Sequence, residues 1–91
     1  MERPRDAEGT GVLVETLFLL VELEIGRLDE VLRRIRTVPG VAEVQAVTGP
    51  FDLIVKVQAS QINEALDTVV HRIRTIPGIK STETLVTVAG P

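Results

Sequence analysis

An α+β domain with the order β-α-β-β-α-β is predicted by three features of the sequence. Four segments carry strand-like apolar patterns, two carry helical stripes, and the second half repeats the first. The repeat has an offset of 38: residues 28–41 (LDEVLRRIRTVPGV) align with residues 66–79 (LDTVVHRIRTIPGI). Nine of these fourteen positions are identical, and three more exchange one aliphatic residue for another. Two β-α-β halves related in this way make a ferredoxin-like split β-α-β fold. Right-handed crossovers place both helices on one face of a four-stranded antiparallel sheet.

The first strand is predicted over residues 15–24 (ETLFLLVELE). Leu17, Leu19, Val21 and Leu23 line one face, and Phe18 and Leu20, then Glu22 and Glu24, line the other. Apolar residues on both faces indicate a central strand. Residues 27–37 show helical spacing, with Leu28, Val31, Leu32, Ile35 and Val38 in one stripe. Asp29 and Glu30 open this helix and Arg33, Arg34 and Arg36 close it, an order that suits the helix dipole. Asp29 with Arg33 and Glu30 with Arg34 are spaced for i,i+4 ion pairs. Pro39-Gly40 ends the helix.

A second strand follows over residues 41–47, then a turn at Thr48-Gly49-Pro50. The third strand, residues 51–59 (FDLIVKVQA), sets Phe51, Leu53, Val55 and Val57 on one face. Ser60 is the expected N-cap of a second helix over residues 61–75, whose stripe is Ile62, Leu66, Val69, Val70 and Ile73. Pro77-Gly78 ends it, and residues 79–88 form the fourth strand. Residues 1–14, polar with Gly9-Thr10-Gly11, are expected to be a flexible tail preceding a domain of residues 15–91.

The helices take the uniform face of Leu17, Leu19, Val21, Leu23, Leu53, Val55 and Val57. The opposite face then carries Phe18, Leu20, Glu22, Asp52, Ile54 and Lys56. A patch such as Phe18, Leu20 and Ile54 is seldom left to water, so a second copy is expected to pack on it, sheet against sheet. The two outer strands alternate irregularly, and their faces are not readable.

Composition narrows the function. The chain has 91 residues, room for one domain, and no cysteine, which excludes disulfides, thiolate metal sites and Cys nucleophiles. Its net charge of −3 disfavours direct nucleic-acid binding. The longest apolar run, Leu17 to Val21, is far short of the roughly 20 residues of a membrane span. The N-terminus has no secretory pattern, and a cytoplasmic location is the expectation. His71 is the only histidine, four residues after Asp67, and is read as half of an exposed i,i+4 pair. Neither a metal site nor a cofactor is expected. The arginines near the two helix ends have no aromatic interleaving and are read as solvated faces or interface ion pairs.

The segments 38–44 (VPGVAEV), 47–57 (VTGPFDLIVKV), Ile76-Pro77-Gly78-Ile79 and Thr82-Glu83-Thr84 carry a resemblance. Together they resemble the effector-binding domain of the Lrp/AsnC regulators, in particular the small stand-alone members without a helix-turn-helix. The resemblance spans about residues 15–88, and the Thr-Gly-Pro-Phe-Asp segment between the paired Pro-Gly exits makes it fairly specific. It implies homodimers formed through the sheets and assembled into rings of four or five dimers, an octamer or decamer. It also implies a small-molecule effector, typically an amino acid, bound in clefts where dimers meet. Nothing in the chain resembles the DNA-binding half, so regulation is expected to pass through other copies or full-length Lrp/AsnC regulators.

A free amino acid is a zwitterion and needs an acceptor for its ammonium and donors for its carboxylate. Asp52 can supply the first, and backbone N–H groups around Gly49 the second. The resemblance maps the effector turn onto Gly49, Phe51 and Asp52, flanked by Thr48, and maps a Thr-x-Thr pair onto Thr82 and Thr84. Many members carry Tyr where Phe51 stands, so one hydroxyl is missing here. Alternatives remain open: Gly49-Pro50 is a hairpin turn in any case, Asp52 is equally suited to bonding turn backbone, Phe51 to filling core or interface, and Thr82 and Thr84 to ordinary strand positions.

The leading expectation is therefore a binding and assembly module and not an enzyme. An assembly partner without its own ligand is the alternative. A dimeric α+β-barrel enzyme shares the fold, but the chain offers no Cys, Tyr or Trp and one outer-helix His as reactive groups. The ACT domain competes at the level of fold, but its Gly-rich first loop is not evident after Glu24.

Overall fold

Alternate residues of β1 (Glu15–Leu23) are buried, and this strand lies inside a four-stranded antiparallel sheet of order β2-β3-β1-β4. The computed structural model describes residues 14–88. The expected tail lies outside the described residues, Val14 excepted. The other elements are α1 (Leu28–Arg36), β2 (Val41–Ala46), β3 (Leu53–Ala59), α2 (Ile62–Thr68) and β4 (Ile79–Val86). This is the predicted ferredoxin-like order.

Register decides which residues share a face. Leu17 pairs with Val57, Leu19 with Val55 and Val21 with Leu53, and all six are fully buried. With Leu23, Val31, Ile35, Val69 and Ile73 they form one core between sheet and helices. Each such side chain contributes about 1.5–3 kcal/mol by leaving water. The predicted helix-packing face is therefore the one observed.

The outer strands owe their irregular alternation to bulges. In β2, Val41 pairs with Val57 and Glu43 with Lys56, so Ala42 is extra. In β4, Ile79 pairs with Leu23 and Ser81 with Glu22, so Lys80 is extra. Each extra residue lies two positions past a Pro-Gly, at the repeat offset of 38. The bulge brings two residues three apart onto one face. Val41 and Val44 thus both face the helices, as do Ile79 and Thr82. The open face carries Phe18, Leu20, Glu22, Ile54 and Lys56, joined by Glu43, Gln45, Ser81, Glu83 and Leu85.

Asp52 does not belong to that face. β3 begins at Leu53, two residues later than expected, and Phe51 and Asp52 lie in the preceding loop, both half-buried.

The helices depart from expectation in three places. Glu30 pairs with Arg27 (Nε–Oε1 3.2 Å, Nη2–Oε2 3.2 Å), and neither predicted i,i+4 pair of α1 is among the ion pairs of the described residues. Ser60 is not the N-cap of α2: Gln61 holds that position, and the Ser60 hydroxyl donates to the Glu64 carboxylate at 2.9 Å. Past Thr68 the helix widens into a π-helical turn, Val69–Ile73, where Arg74 N–H donates to Val69 C=O at 2.9 Å.

That widening accounts for the departure from the predicted stripe. Residues four apart drift by about 40° on an α-helix. The wider turn takes back the drift, so Ala65, Val69 and Ile73 bury in one line. Ala65, absent from the predicted stripe, is fully buried, whereas Val70 turns outward and is exposed.

Candidate functional site

The loop of residues 47–52 is fastened at its far end. Asp52 N–H donates to Val21 C=O at 2.8 Å, and Asp52 C=O accepts from Val47 N–H at 2.9 Å. One carboxylate oxygen, Oδ2, accepts the Leu23 N–H at 2.8 Å. The loop between β2 and β3 is thereby tied to the end of β1. Among the described residues the other oxygen, Oδ1, has no hydrogen-bond partner. The result is a preordered anionic acceptor with spare capacity.

Gly49 has φ 131, a conformation that L side chains rarely adopt, and no atom lies within 4 Å of where its Cβ would be. Its glycine serves the turn, and the space beside it is open. Thr48 is exposed.

Asp52 lines a cleft of about 210 Å³ at this end of the sheet. Across from it stands the turn between β1 and α1, where Arg27 N–H donates to Glu24 C=O at 3.2 Å. Leu23, Ile25, Leu28 and Val47 supply apolar wall, and Glu24 supplies a second carboxylate. Ile25 is fully exposed, and Leu28 remains 40% exposed although it begins the helix stripe. Among the described residues no cationic side chain lines the cleft. Arg27 approaches Glu24 from outside, Nη1 to Oε1, at 3.9 Å.

Thr48, Gly49, Phe51 and Asp52 thus share one loop, with Asp52 in the cleft wall. Thr82 and Thr84 lie elsewhere: they pair with Val21 and Leu19 across the other edge of β1, on the helix face. Thr82 is half-buried and lines a separate depression with Arg74, Ile79, Lys80 and Ser81, and Thr84 is exposed. Within one chain the two groups of residues do not meet in one cavity.

The facing turn is marked by no motif in the sequence. Its available signal was Ile25, an apolar residue between strand and helix that fits neither period.

His71 Nε2 lies 3.3 Å from the Asp67 carboxylate, with both side chains mostly exposed. This is the predicted i,i+4 pair. Among the described residues no group of three or more His, Asp or Glu is placed to hold a metal ion, and no helix is long and apolar enough to cross a membrane.

Comparison with known proteins agrees with this architecture. The family model of the Lrp/AsnC ligand binding domain matches residues 16–89. A crystal structure from Thermus thermophilus is 34% identical with a TM-score of 0.79, over 85% of this chain and 96% of that one. Escherichia coli AsnC is 24% identical with a TM-score of 0.79, over 100% of this chain and 63% of its own, so this chain spans about three-fifths of that regulator. A Neisseria meningitidis transcriptional regulator, solved as an L-Met complex, is 14% identical with a TM-score of 0.77, over 98% of this chain and 60% of its own. Among proteins with curated descriptions none matches. With its β-α-β-β-α-β sheet and a family match over residues 16–89, the chain belongs to the Lrp/AsnC ligand-binding domain family.

Proposed function

We propose that this domain binds a free amino acid beside Asp52 and couples that binding to the assembly of copies of itself. The carrying observation is the Asp52 carboxylate, held by Leu23 N–H in the cleft wall, its second oxygen without a hydrogen-bond partner among the described residues. A fixed carboxylate accepts an ammonium without first losing side-chain freedom. Backbone N–H groups of the Thr48–Gly49 turn then meet the ligand carboxylate, and Phe51 shapes the loop. The L-Met complex of the N. meningitidis regulator, which shares the fold, supports an amino acid as the ligand class.

The open sheet face supports the assembly half of the reading. Phe18 and Leu20 are half-buried, and Ile54 and Leu85 are exposed, in one apolar patch rimmed by Glu22, Glu43, Lys56 and Glu83. A second copy presenting the same face makes a two-fold dimer, and dimers close into rings, an octamer or decamer. Thr82 and Thr84 share no cavity with Asp52 within one chain, so in this reading a neighbouring subunit supplies them.

In this reading the domain is a regulatory module and not an enzyme. Full-length Lrp/AsnC regulators are the second candidate assembly, because the fold of AsnC matches this chain.

The test is a thermal-shift screen against the twenty amino acids. A ligand at 100 times its dissociation constant stabilises the fold by about 2.7 kcal/mol, which is several degrees for a domain of this size. A shift with a related subset supports the reading. No shift with any of them overturns it in favour of assembly alone.

A further inference from the structure

We infer that the open sheet face is self-complementary: Leu85 of each copy enters a hollow beside Phe18 and Ile54 of the other, and Lys56 of each meets Glu83 of the other. The inference rests on the sheet-to-sheet reading above and names the contacts that fix its register. The hollow, about 150 Å³, is lined by Phe18, Glu43, Gln45, Ile54 and Lys56. An apolar cavity of about that volume holds a benzene molecule, so one leucine side chain fits. The knob is Leu85, 45% exposed on β4, the edge strand opposite β2. Hollow and knob share one row across the sheet: Glu43 pairs with Lys56, Lys56 with Phe18, and Phe18 with Leu85.

Symmetry brings the two together. A two-fold axis between two facing sheets, parallel to the strands and midway between β1 and β3, lays β4 of one copy over β2 of the other. Rows keep their level under this rotation, and aligned sheets depart from it by only about 30°. Charge agrees with the same placement. Glu22 is occupied by the Ser81 hydroxyl at 2.8 Å and the Lys80 ammonium at 3.7 Å, and Glu43 by the Gln45 amide at 2.8 Å. Lys56 and Glu83 are left, of opposite sign, and among the described residues neither side chain makes an ion pair or a hydrogen bond. Lys56 borders the hollow, and Glu83 stands two residues from the knob on the same face. Seating Leu85 therefore sets Lys56 against the partner's Glu83, twice in each dimer. A foreign partner would have to supply hollow, knob and both charges, whereas a second copy supplies all four.

A charge exchange in the full chain tests this, with dimer strength read by native mass spectrometry on dilution or, for a dimer that survives dilution, by the rate of subunit exchange. Lys56→Glu and Glu83→Lys each set like charges together and are expected to loosen the dimer about tenfold or more. The double variant restores the pair with its signs exchanged and is expected to return to within about threefold of the parent. Leu85→Ala, at an exposed position, is expected to loosen the dimer about tenfold or more with its far-ultraviolet circular dichroism retained. Lys56→Glu also faces Glu43 within its own sheet, so its fold is checked in the same way. Should it unfold, Lys56→Gln and Glu83→Gln replace the reversals, and their effects are expected to be non-additive in the double variant. A double variant no tighter than either single, additive neutral variants, or singles that dissociate like the parent overturn the Lys56–Glu83 contact and leave a sheet-to-sheet dimer standing. Unchanged dissociation of Leu85→Ala overturns the knob. A parent chain that is monomeric at every concentration overturns both this inference and the sheet-to-sheet reading.

Discussion

The Asp52 carboxylate reaches across to the Leu23 backbone and accepts its N–H at 2.8 Å, at the point where β1 gives way to the turn carrying Ile25. One side chain thus both shapes the cleft and faces into it, and the two roles separate by substitution. Asp52→Asn keeps an oxygen for Leu23 N–H and removes the charge. Asp52→Ala removes both, leaving a part-buried N–H unsatisfied at a cost of about 1–3 kcal/mol. Urea unfolding is expected to show Asp52→Ala clearly less stable than Asp52→Asn, whereas calorimetry shows amino-acid binding lost in both. Full affinity in Asp52→Asn would remove Asp52 as the ammonium acceptor.

The two Pro-Gly exits are alike in sequence but not in surroundings. Gly40 and Gly78 have φ of 96 and 103, so alanine at either position is strained by about 1–3 kcal/mol. At Gly78 the new Cβ would also stand 3.0 Å from Val31 Cγ2 and 3.1 Å from Arg27 Cβ, whereas at Gly40 the nearest atom is 3.5 Å away. Gly78→Ala is therefore expected to be the more destabilising by about 1 kcal/mol or more. Equal midpoints in urea would show that α1 moves aside freely.

How much of this is legible in the sequence depends on whether periodicity survives. β1 and β3 keep a strict period of two, and their core face is read directly from Leu17, Leu19, Val21, Leu53, Val55 and Val57. The outer strands lose it at Ala42 and Lys80, where the bulges reverse the faces. Val70 falls in the predicted stripe but not in the core, because the π-helical turn changes the angular step within a segment whose composition still reads as α-helix. Asp52 falls on the open face only if β3 starts two residues earlier than it does. The loop of Gly49 to Asp52 is visible as turn chemistry. Ile25 and Leu28 are not visible as its counterpart, because only strand pairing brings the β1–α1 turn opposite that loop.

The His71–Asp67 pair offers a control on the outer helix. Both side chains are about 70% exposed, and exposed pairs of this kind contribute about 0.2–1 kcal/mol. His71→Ala is expected to leave amino-acid affinity unchanged and to shift stability by no more than that. A large loss of affinity would point to a ligand role for the face bearing His71 and Arg72.

The open sheet face can be broken without breaking the fold. Leu20 is half-buried, pairs with Ile54 on one side and with Glu83 on the other, and lies at the centre of the apolar patch. Leu20→Lys places an opposite charge beside Glu83, which is tolerated within one sheet. In a sheet-to-sheet dimer the same lysine would be buried against apolar side chains without a partner, a large penalty. Native mass measurement is expected to find the variant monomeric, with its far-ultraviolet circular dichroism retained. An oligomer that survives the change would move the interface elsewhere. The same variant then tests how the binding site is completed. Asp52 and its cleft belong to one chain, whereas Thr82 and Thr84 can reach a ligand there only from another subunit. Amino-acid affinity is therefore expected to fall in the folded monomer. Undiminished affinity would show the cleft to be self-sufficient and would leave Thr82 and Thr84 as ordinary strand residues.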